Sequence, residues 1–84
     1  MFTIVFSKQA AKFLRTAERT VTRRILQKLE GLKEEPVSHD AKKIVGKDRY
    51  FRVRVGDHRI LYTVMYESQT ILIDRIDKRS RVYQ

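Results

Sequence analysis

The sequence contains no cysteine, which excludes both a disulfide-stabilised scaffold and a metal site built from thiolates. No uncharged run approaches the ~18 apolar residues that a membrane-spanning helix requires. The segment Met1–Phe6 has no basic region and no small-residue cleavage site, so it is not expected to be a signal peptide. A glycine-rich phosphate loop, a metal-ligand spacing and a Ser-His-Asp arrangement are also missing. We therefore expect a cytoplasmic protein, without a membrane partner, and the sequence predicts no metal or other cofactor.

What is present is an excess of positive charge. The chain has 84 residues, which predicts one domain over residues 1–84, and its 42% hydrophobic content is that of a folded protein. Nineteen Lys and Arg residues against ten Asp and Glu give a formal net charge of +9. The net charge is +3 over residues 1–41 and +6 over residues 42–84. Such an excess favours a polyanionic partner such as RNA, DNA or an acidic protein.

Hydrophobic spacing predicts an α+β fold. Phe2, Ile4 and Phe6 alternate with other residues as in a strand, and Ser7 stands where a helix N-cap belongs. Apolar residues then recur every three or four positions until Pro36, which predicts two helices. The predicted order is β-α-α-β-β-β, with two helices on one face of a mainly antiparallel sheet. The boundaries are a strand at 2–6, a helix at 8–17, a second helix up to Pro36, a loop at 37–48, and strands at 50–55, 59–66 and 70–76.

The hairpin around Gly56-Asp57 is the most informative local feature. If these two residues form the turn, Arg54 lies opposite Arg59, and Arg52 shares their face because side chains alternate along a strand. Like charges directly opposite each other destabilise a sheet, so this pattern indicates a phosphate-binding site. The alternative is a solvated face whose arginines splay apart or pair with Asp57 and Asp74.

A second basic cluster, Lys78–Tyr83, ends with Val82 and Tyr83. A basic terminus is commonly a flexible tail, but apolar residues after the charges favour a segment that docks on the domain. In that case Arg79 and Tyr83 would reach the three hairpin arginines.

These motifs resemble the RelE/ParE superfamily of toxin–antitoxin toxins, and in particular its RelE branch. The similarity covers nearly the whole chain. It includes Ile4–Lys12 at the start and the central hairpin Tyr50–Tyr62. It also includes the terminal run Arg75–Tyr83, in which a basic pair precedes Val-Tyr.

The resemblance implies a ribosome-dependent mRNA endoribonuclease that cuts in the A site by attack of the RNA 2′-OH, without a metal. A small acidic antitoxin of the RelB type is implied as the partner that holds the toxin inactive, beside the ribosome and mRNA. The family's catalytic positions correspond here to Arg52, Arg54, Arg59, Arg79 and Tyr83. Six further basic residues are predicted to contact RNA or the ribosome: Lys42, Lys43, Lys47, Arg49, Lys78 and Arg81.

Two other functions remain open at this point. A ParE-like protein would inhibit DNA gyrase by binding and would need no catalytic group. A plain RNA-binding module is the third hypothesis, although no aromatic stacking platform is evident among Tyr50, Phe51, Tyr62 and Tyr66.

Overall fold

The computed structural model of the protein describes residues 1–78, which form two helices and five strands. The elements follow one another as β1 (Thr3–Phe6), α1 (Lys8–Thr16), α2 (Arg19–Glu34), β2 (Lys42–Lys43), β3 (Tyr50–Val55), β4 (His58–Met65) and β5 (Thr70–Lys78). Neither α1 nor α2, the helices of this described part, is long and apolar enough to cross a membrane.

The five strands form one mixed sheet in the order β1-β5-β4-β3-β2. Three neighbouring pairs are antiparallel, and only β1 runs parallel to its neighbour β5. The parallel pair is possible because α1 and α2 carry the chain between β1 and the rest of the sheet. The predicted α+β class with a mainly antiparallel sheet is therefore confirmed.

Helix α1 begins at the predicted N-cap. The Ser7 Oγ accepts a hydrogen bond from the Ala10 backbone N at 3.1 Å and donates one to the Asp74 carbonyl oxygen at 2.7 Å. The Gln9 side chain bonds both backbone groups of Ile76, each at 2.9 Å. Since β1 has already ended, Gln9 supplies hydrogen bonds that a neighbouring strand would otherwise make. These contacts fix α1 against the second half of β5.

Helix α2 packs through the predicted apolar stripe, in which Ile25, Leu29 and Leu32 are buried. It ends at Glu34, two residues before Pro36, as expected from the conformational restriction that proline places on the residue before it. The Tyr62 hydroxyl donates to the Pro36 carbonyl oxygen at 2.7 Å and ties the end of α2 to β4. Burial raises the pKa of the Tyr62 phenol, which therefore remains a hydrogen-bond donor.

One face of the sheet and the inner faces of the helices form a single core. Along β4 every second side chain, Ile60, Tyr62 and Val64, is fully buried on this helix face. The buried core residues are Ala10, Ile25, Leu29, Leu32, Val53, Ile60, Tyr62, Val64, Ile71, Ile73 and Ile76. The opposite face carries the alternate residues of the same strands, and neither α1 nor α2 packs against it.

Two details differ from the predicted elements. Lys42 and Lys43 form the short strand β2 inside the predicted loop, and they pair with Arg52 and Phe51 of β3. Strand β5 has one extra residue, Asp74, because Leu61 and Tyr62 of β4 pair with Arg75 and Ile73. The first depends on backbone pairing alone and has no hydrophobic pattern. The second is a β-bulge, which breaks the alternation of buried side chains by a step of three residues from Ile73 to Ile76.

Candidate active site

The turn at Gly56-Asp57 sets the register of the hairpin. Gly56 has φ of 60°, in the left-handed region that glycine adopts without strain. Val55 then pairs with His58, and Arg54 with Arg59. The register predicted from a two-residue turn is confirmed.

Three arginines consequently share the face of the sheet that the helices leave open. Arg54 and Arg59 are direct cross-strand partners, and Arg52 lies two residues from Arg54 on the same strand. We call Arg52, Arg54 and Arg59 the arginine face. Side chains directly opposite on a strand pair have Cβ atoms ~4.5–5.5 Å apart, so the charges of Arg54 and Arg59 start close together.

No acidic side chain within residues 1–78 forms an ion pair with these three arginines. The Nε atoms of Arg52 and Arg59 are buried, and neither has a hydrogen-bond partner among the described residues. Asp74 instead accepts a hydrogen bond from the Thr63 hydroxyl at 2.8 Å. An unpaired buried donor costs ~1–3 kcal/mol, so within residues 1–78 the arginine face lacks acceptors of the kind that an anion supplies.

A depression of about 330 Å³ adjoins this face and is lined by Asp40, Lys42, Arg52 and Arg54. Lys42 contributes because it pairs directly with Arg52 across β2 and β3. The predicted contact residue Lys42 thus lies beside the arginines and enlarges the positive surface.

The acidic residue that lines this depression, Asp40, forms its hydrogen bonds with groups other than the arginines. Lys28 Nζ lies 2.5 Å from Asp40 Oδ2, and the Ser38 hydroxyl donates to Oδ1 at 2.6 Å. The hydrogen bond from Lys28, and then that from Ser38, lowers the pKa of Asp40 to about 2. The carboxylate is therefore ionised at neutral pH, but its hydrogen bonds go to α2 and its own loop.

Two predicted contact residues lie on the other face of the sheet. Lys43 pairs with Phe51 and Lys78 with His58, so both share the side on which the helices pack. Both side chains are exposed at the margin of that side. Their role in binding RNA or the ribosome stays a prediction.

Lys47 and Arg49 lie at the end of the hairpin that is distant from its turn. Lys47 Nζ is 5.4 Å from the centre of the Tyr50 ring. Arg49 forms an ion pair with Glu67 at 3.1 Å, and its guanidinium is also 5.4 Å from the Tyr66 ring. Arg49 is therefore engaged in contacts within the protein, whereas Lys47 borders the open face.

The remaining predicted residues, Arg79, Arg81 and Tyr83, lie outside the described residues. The last described residue, Lys78, pairs with His58 at the start of β4. The preceding residue of β5, Asp77, pairs with Arg59. The described part of β5 thus ends beside the arginine face.

A second cavity lies on the open face, close to the arginines, and was not predicted from the sequence. It measures about 290 Å³ and is lined by Lys47, Asp48, Tyr50, Thr63, Asp74 and Arg75. Burial, and next the charge of Asp74, raises the pKa of Tyr50, while Arg59 and Arg75 act in the opposite direction. Period two along β3 was the available signal, because it puts Tyr50 on the same face as Arg52.

Comparison with known proteins agrees with this architecture. A chain of the archaeal RelE–RelB complex from Pyrococcus horikoshii OT3 is 29% identical, with 95% of this chain and 97% of that chain covered and a TM-score of 0.83. The isolated E. coli RelE toxin has a TM-score of 0.85 at 24% identity, covering 99% of this chain and 92% of that one. Two helices on this mixed five-stranded sheet are therefore the fold of solved RelE toxins.

Sequence comparison identifies the family. The model of the family described as "ParE toxin of type II toxin-antitoxin system, parDE" matches residues 4–83. A protein of Methanocaldococcus jannaschii named "Putative toxin RelE1" is 28% identical over 86 residues, which cover 99% of this chain and 96% of the relative. The chain belongs to the RelE/ParE superfamily of toxins from type II toxin–antitoxin systems. The resemblance derived from its motifs is confirmed.

Proposed function

We propose that this protein is the toxin of a RelBE-type system and an endoribonuclease that cleaves mRNA in the ribosomal A site. The observation that carries the proposal is the arginine face, in which Arg54 opposes Arg59 beside Arg52 and none of the three forms an ion pair with an acidic side chain of residues 1–78. Asp77, opposite Arg59 on β5, is paired with Arg75 at 2.6 Å instead. A surface of this kind is costly for the folded state and suits a phosphate group, which guanidinium forks bind well.

The reaction needs few protein groups because RNA carries its own nucleophile. The 2′-OH attacks the adjacent phosphorus, the bond to the 5′-oxygen breaks, and a 2′,3′-cyclic phosphate remains. Arg52, Arg54 and Arg59 stabilise the extra negative charge of the phosphorane, and no metal is assigned to this task. Fixed positive charges contribute most when they are held in position before the reaction, as residues of a hairpin are.

Tyr83 and Arg79 complete the proposed mechanism, and both lie beyond the described residues. Tyr83 acts as the base that removes the 2′-OH proton, since neighbouring guanidiniums favour the phenolate form of a tyrosine. Arg79 stabilises the leaving 5′-oxygen by charge, because an arginine is effectively always protonated. Water or a ribosomal group supplies the proton to that oxygen.

The ribosome and mRNA are the proposed polyanionic partners. The net charge of +9 favours association with both. Lys42 and Lys47 adjoin the open face, and Lys43, Arg49, Lys78 and Arg81 are proposed to contribute to the wider contact.

An acidic antitoxin similar to RelB is the proposed protein partner. One relative of known structure was solved as an archaeal RelE–RelB complex, which supports this assignment. A groove of about 370 Å³ between β1 and α2 includes Phe6 and Leu26, whose side chains are 36% and 43% exposed. These apolar side chains suit the apolar face of an amphipathic helix. Lys33 at the same groove is paired with Glu30 at 2.9 Å, so the acidic character of the partner is proposed from the net charge of +9.

Inhibition of DNA gyrase is the second candidate function. The observation that favours it is the matching family model, which describes ParE toxins. A gyrase inhibitor that acts by binding has no need of a phosphate site combined with Tyr83, so the nuclease is preferred.

One pair of assays separates the two functions. Primer extension on mRNA in a translation extract, with the purified full chain, is expected to reveal cuts at the A site. Gyrase supercoiling is measured with the same preparation and is expected to be unaffected. Intact mRNA together with inhibited supercoiling would overturn the nuclease in favour of the gyrase inhibitor.

A further inference from the structure

Beside the arginine face lies the cavity around Tyr50, which the proposed reaction does not use. Tyr50 pairs with Thr63 across the hairpin and precedes Arg52 by two residues, so its ring projects from the same face as that guanidinium. The ring is partly exposed, and the Lys47 ammonium lies over it 5.4 Å from its centre, so a planar group stacks either on the other ring face or in place of this ammonium.

The opposite wall of this cavity is polar. The β-bulge in β5 adds Asp74 to the open face, where its Oδ2 accepts the Thr63 hydroxyl at 2.8 Å. This bond fixes the carboxylate and leaves Oδ1 without a hydrogen bond from residues 1–78. A carboxylate only accepts hydrogen bonds, so it favours a ligand edge that carries N–H donors.

The dimensions suit a single planar group. The volume of about 290 Å³ is just below the ~300–1,000 Å³ of typical ligand pockets. Residues two apart on a strand are separated by ~6.6 Å, comparable with the span from a phosphate across its ribose to the base. Aromatic rings beside cationic grooves are the usual platforms on which proteins stack unpaired RNA bases.

We infer that the cavity between Tyr50 and Asp74 binds one nucleobase of the RNA whose phosphate the arginine face holds. The base stacks on the Tyr50 ring, and the Asp74 carboxylate accepts a hydrogen bond from an exocyclic amino group. Cytosine, adenine and guanine carry such a group. Uracil offers only its ring N3–H, between two carbonyl oxygens that repel a carboxylate, so the cavity discriminates against uracil. This inference rests on the proposed function only in taking RNA as the ligand.

Binding of free nucleotides tests the inference independently of cleavage. The full chain with isotope-labelled tyrosine rings is titrated with cytidine, uridine and ribose 5′-phosphates and followed by NMR, with Tyr50→Phe used to assign the Tyr50 signals. Cytidine monophosphate is expected to shift the Tyr50 ring protons upfield and to bind about fivefold or more tightly than uridine monophosphate. Ribose 5-phosphate is expected to leave the ring signals in place.

Matched variants separate stacking from hydrogen bonding. Tyr50→Leu is expected to weaken cytidine monophosphate binding at least about fivefold, in line with the stacking of a base on an aromatic ring. Asp74→Asn should retain binding but reduce the preference over uridine monophosphate. Tyr66→Leu removes a 47% exposed tyrosine that directly follows β4, packs on Phe2 and does not line the cavity, and it should change neither property.

Two results would overturn the inference. One is a Tyr50 ring that stays unperturbed while the backbone amides of Arg52 and Arg54 respond, which means that only the phosphate binds. The other is equal binding of the two nucleotides to the wild-type chain. Neither result bears on the proposal that the protein cleaves mRNA in the A site. Conversely, a failure to cleave mRNA in the extract would not change what the nucleotide titration says about base binding.

Discussion

The two faces of the sheet are built from the same strands but differ in how their side chains are satisfied. On the helix face, Ile60 and Tyr62 are fully buried, and the Tyr62 hydroxyl has a carbonyl partner in Pro36. On the arginine face, Arg59 precedes Ile60 by one residue and carries a buried Nε with no hydrogen-bond partner among the described residues. The first face is satisfied by the protein itself, whereas the second keeps unpartnered donors within residues 1–78.

This contrast separates stability from function within a single strand. Because successive side chains of β4 point to opposite faces of the sheet, the position of a substitution in this strand decides which face it affects. Substitutions on the helix face are therefore expected to change the free energy of unfolding, and those on the arginine face to change activity.

The largest expected effect is a loss of stability on the helix face. Ile60→Ala removes a side chain with no solvent exposure and leaves a cavity between the sheet and the helices. The free energy of unfolding should fall by ~2–5 kcal/mol. Urea denaturation followed by circular dichroism measures it, with the exposed Leu26→Ala on α2 as the control. A change as small as that of the control would mean that Ile60 is not part of the packed core.

Substitution of the neighbouring residue, Arg59, should have the reverse result, a loss of activity without a loss of stability. Arg59→Ala removes a charge from the proposed phosphate site and is expected to slow A-site cleavage by ~10²–10³-fold. Its unfolding free energy should not fall, since no ion pair to Arg59 is present in residues 1–78 and the like-charge pair with Arg54 is removed. Primer extension on A-site mRNA gives the rate, and a variant that cleaves normally would remove Arg59 from the site.

Much of this contrast was predictable from the sequence because it follows from short-range rules. Gly56-Asp57 allows a two-residue turn, and from that turn period two assigns Arg52, Arg54 and Arg59 to one face. The N-cap at Ser7 was likewise predictable from the hydroxyl that precedes an amphipathic run.

The missed features depend on contacts between distant segments. Strand β2 consists of two lysines whose pairing with β3 uses only backbone groups. The step of three residues from Ile73 to Ile76 indicates a break in β5, but the hydrogen bond from Thr63 to Asp74 depends on the alignment of β5 with β4 and could not be inferred. The face of Lys78 also follows from the bulge at Asp74, because one extra residue shifts every later side chain of β5 to the other face.

A third test asks whether Tyr83, near the end of the chain, acts together with the arginine face. Tyr83→Phe removes only the phenolic oxygen of the proposed base, and cleavage should slow by ~10²-fold or more with ribosome binding largely kept. Primer extension and ribosome co-sedimentation measure the two properties. Tyr66→Phe, an equally conservative change at an exposed tyrosine, should be neutral. Unchanged cleavage by Tyr83→Phe would keep the nuclease and discard Tyr83 as its base.

A smaller effect is expected at Arg54, where the requirements of stability and of activity conflict. Arg54→Thr relieves the like-charge pair with Arg59 and introduces a residue favoured in strands, so the unfolding free energy should rise by ~0.2–1 kcal/mol. The same change should lower cleavage, as expected when a site is retained at the expense of stability. Chemical denaturation of Arg54→Thr beside Arg54→Lys, which keeps the charge, checks this. A gain in both variants would exclude charge repulsion as the cause.

The smallest expected effect concerns Asp40, the carboxylate beside the arginine face that Lys28 ties to α2. Its pKa is lowered from 3.8 to about 2, chiefly by the Lys28 hydrogen bond. A carboxyl whose pKa is lower in the folded state stabilises the fold above pH 3.8 and loses that contribution as the pH falls towards 2. Side-chain exposures of 26% for Lys28 and 39% for Asp40 limit the contribution to ~1 kcal/mol or less.

Urea denaturation between pH ~5 and pH ~2 should therefore find Asp40→Asn less stable than the wild type at the upper end and equal to it at the lower end. Asp48→Asn, at an exposed carboxyl of the following loop, serves as the control and should not reproduce this convergence. A pH-independent difference for Asp40→Asn would mean that the carboxylate charge does not link this edge of the arginine face to α2.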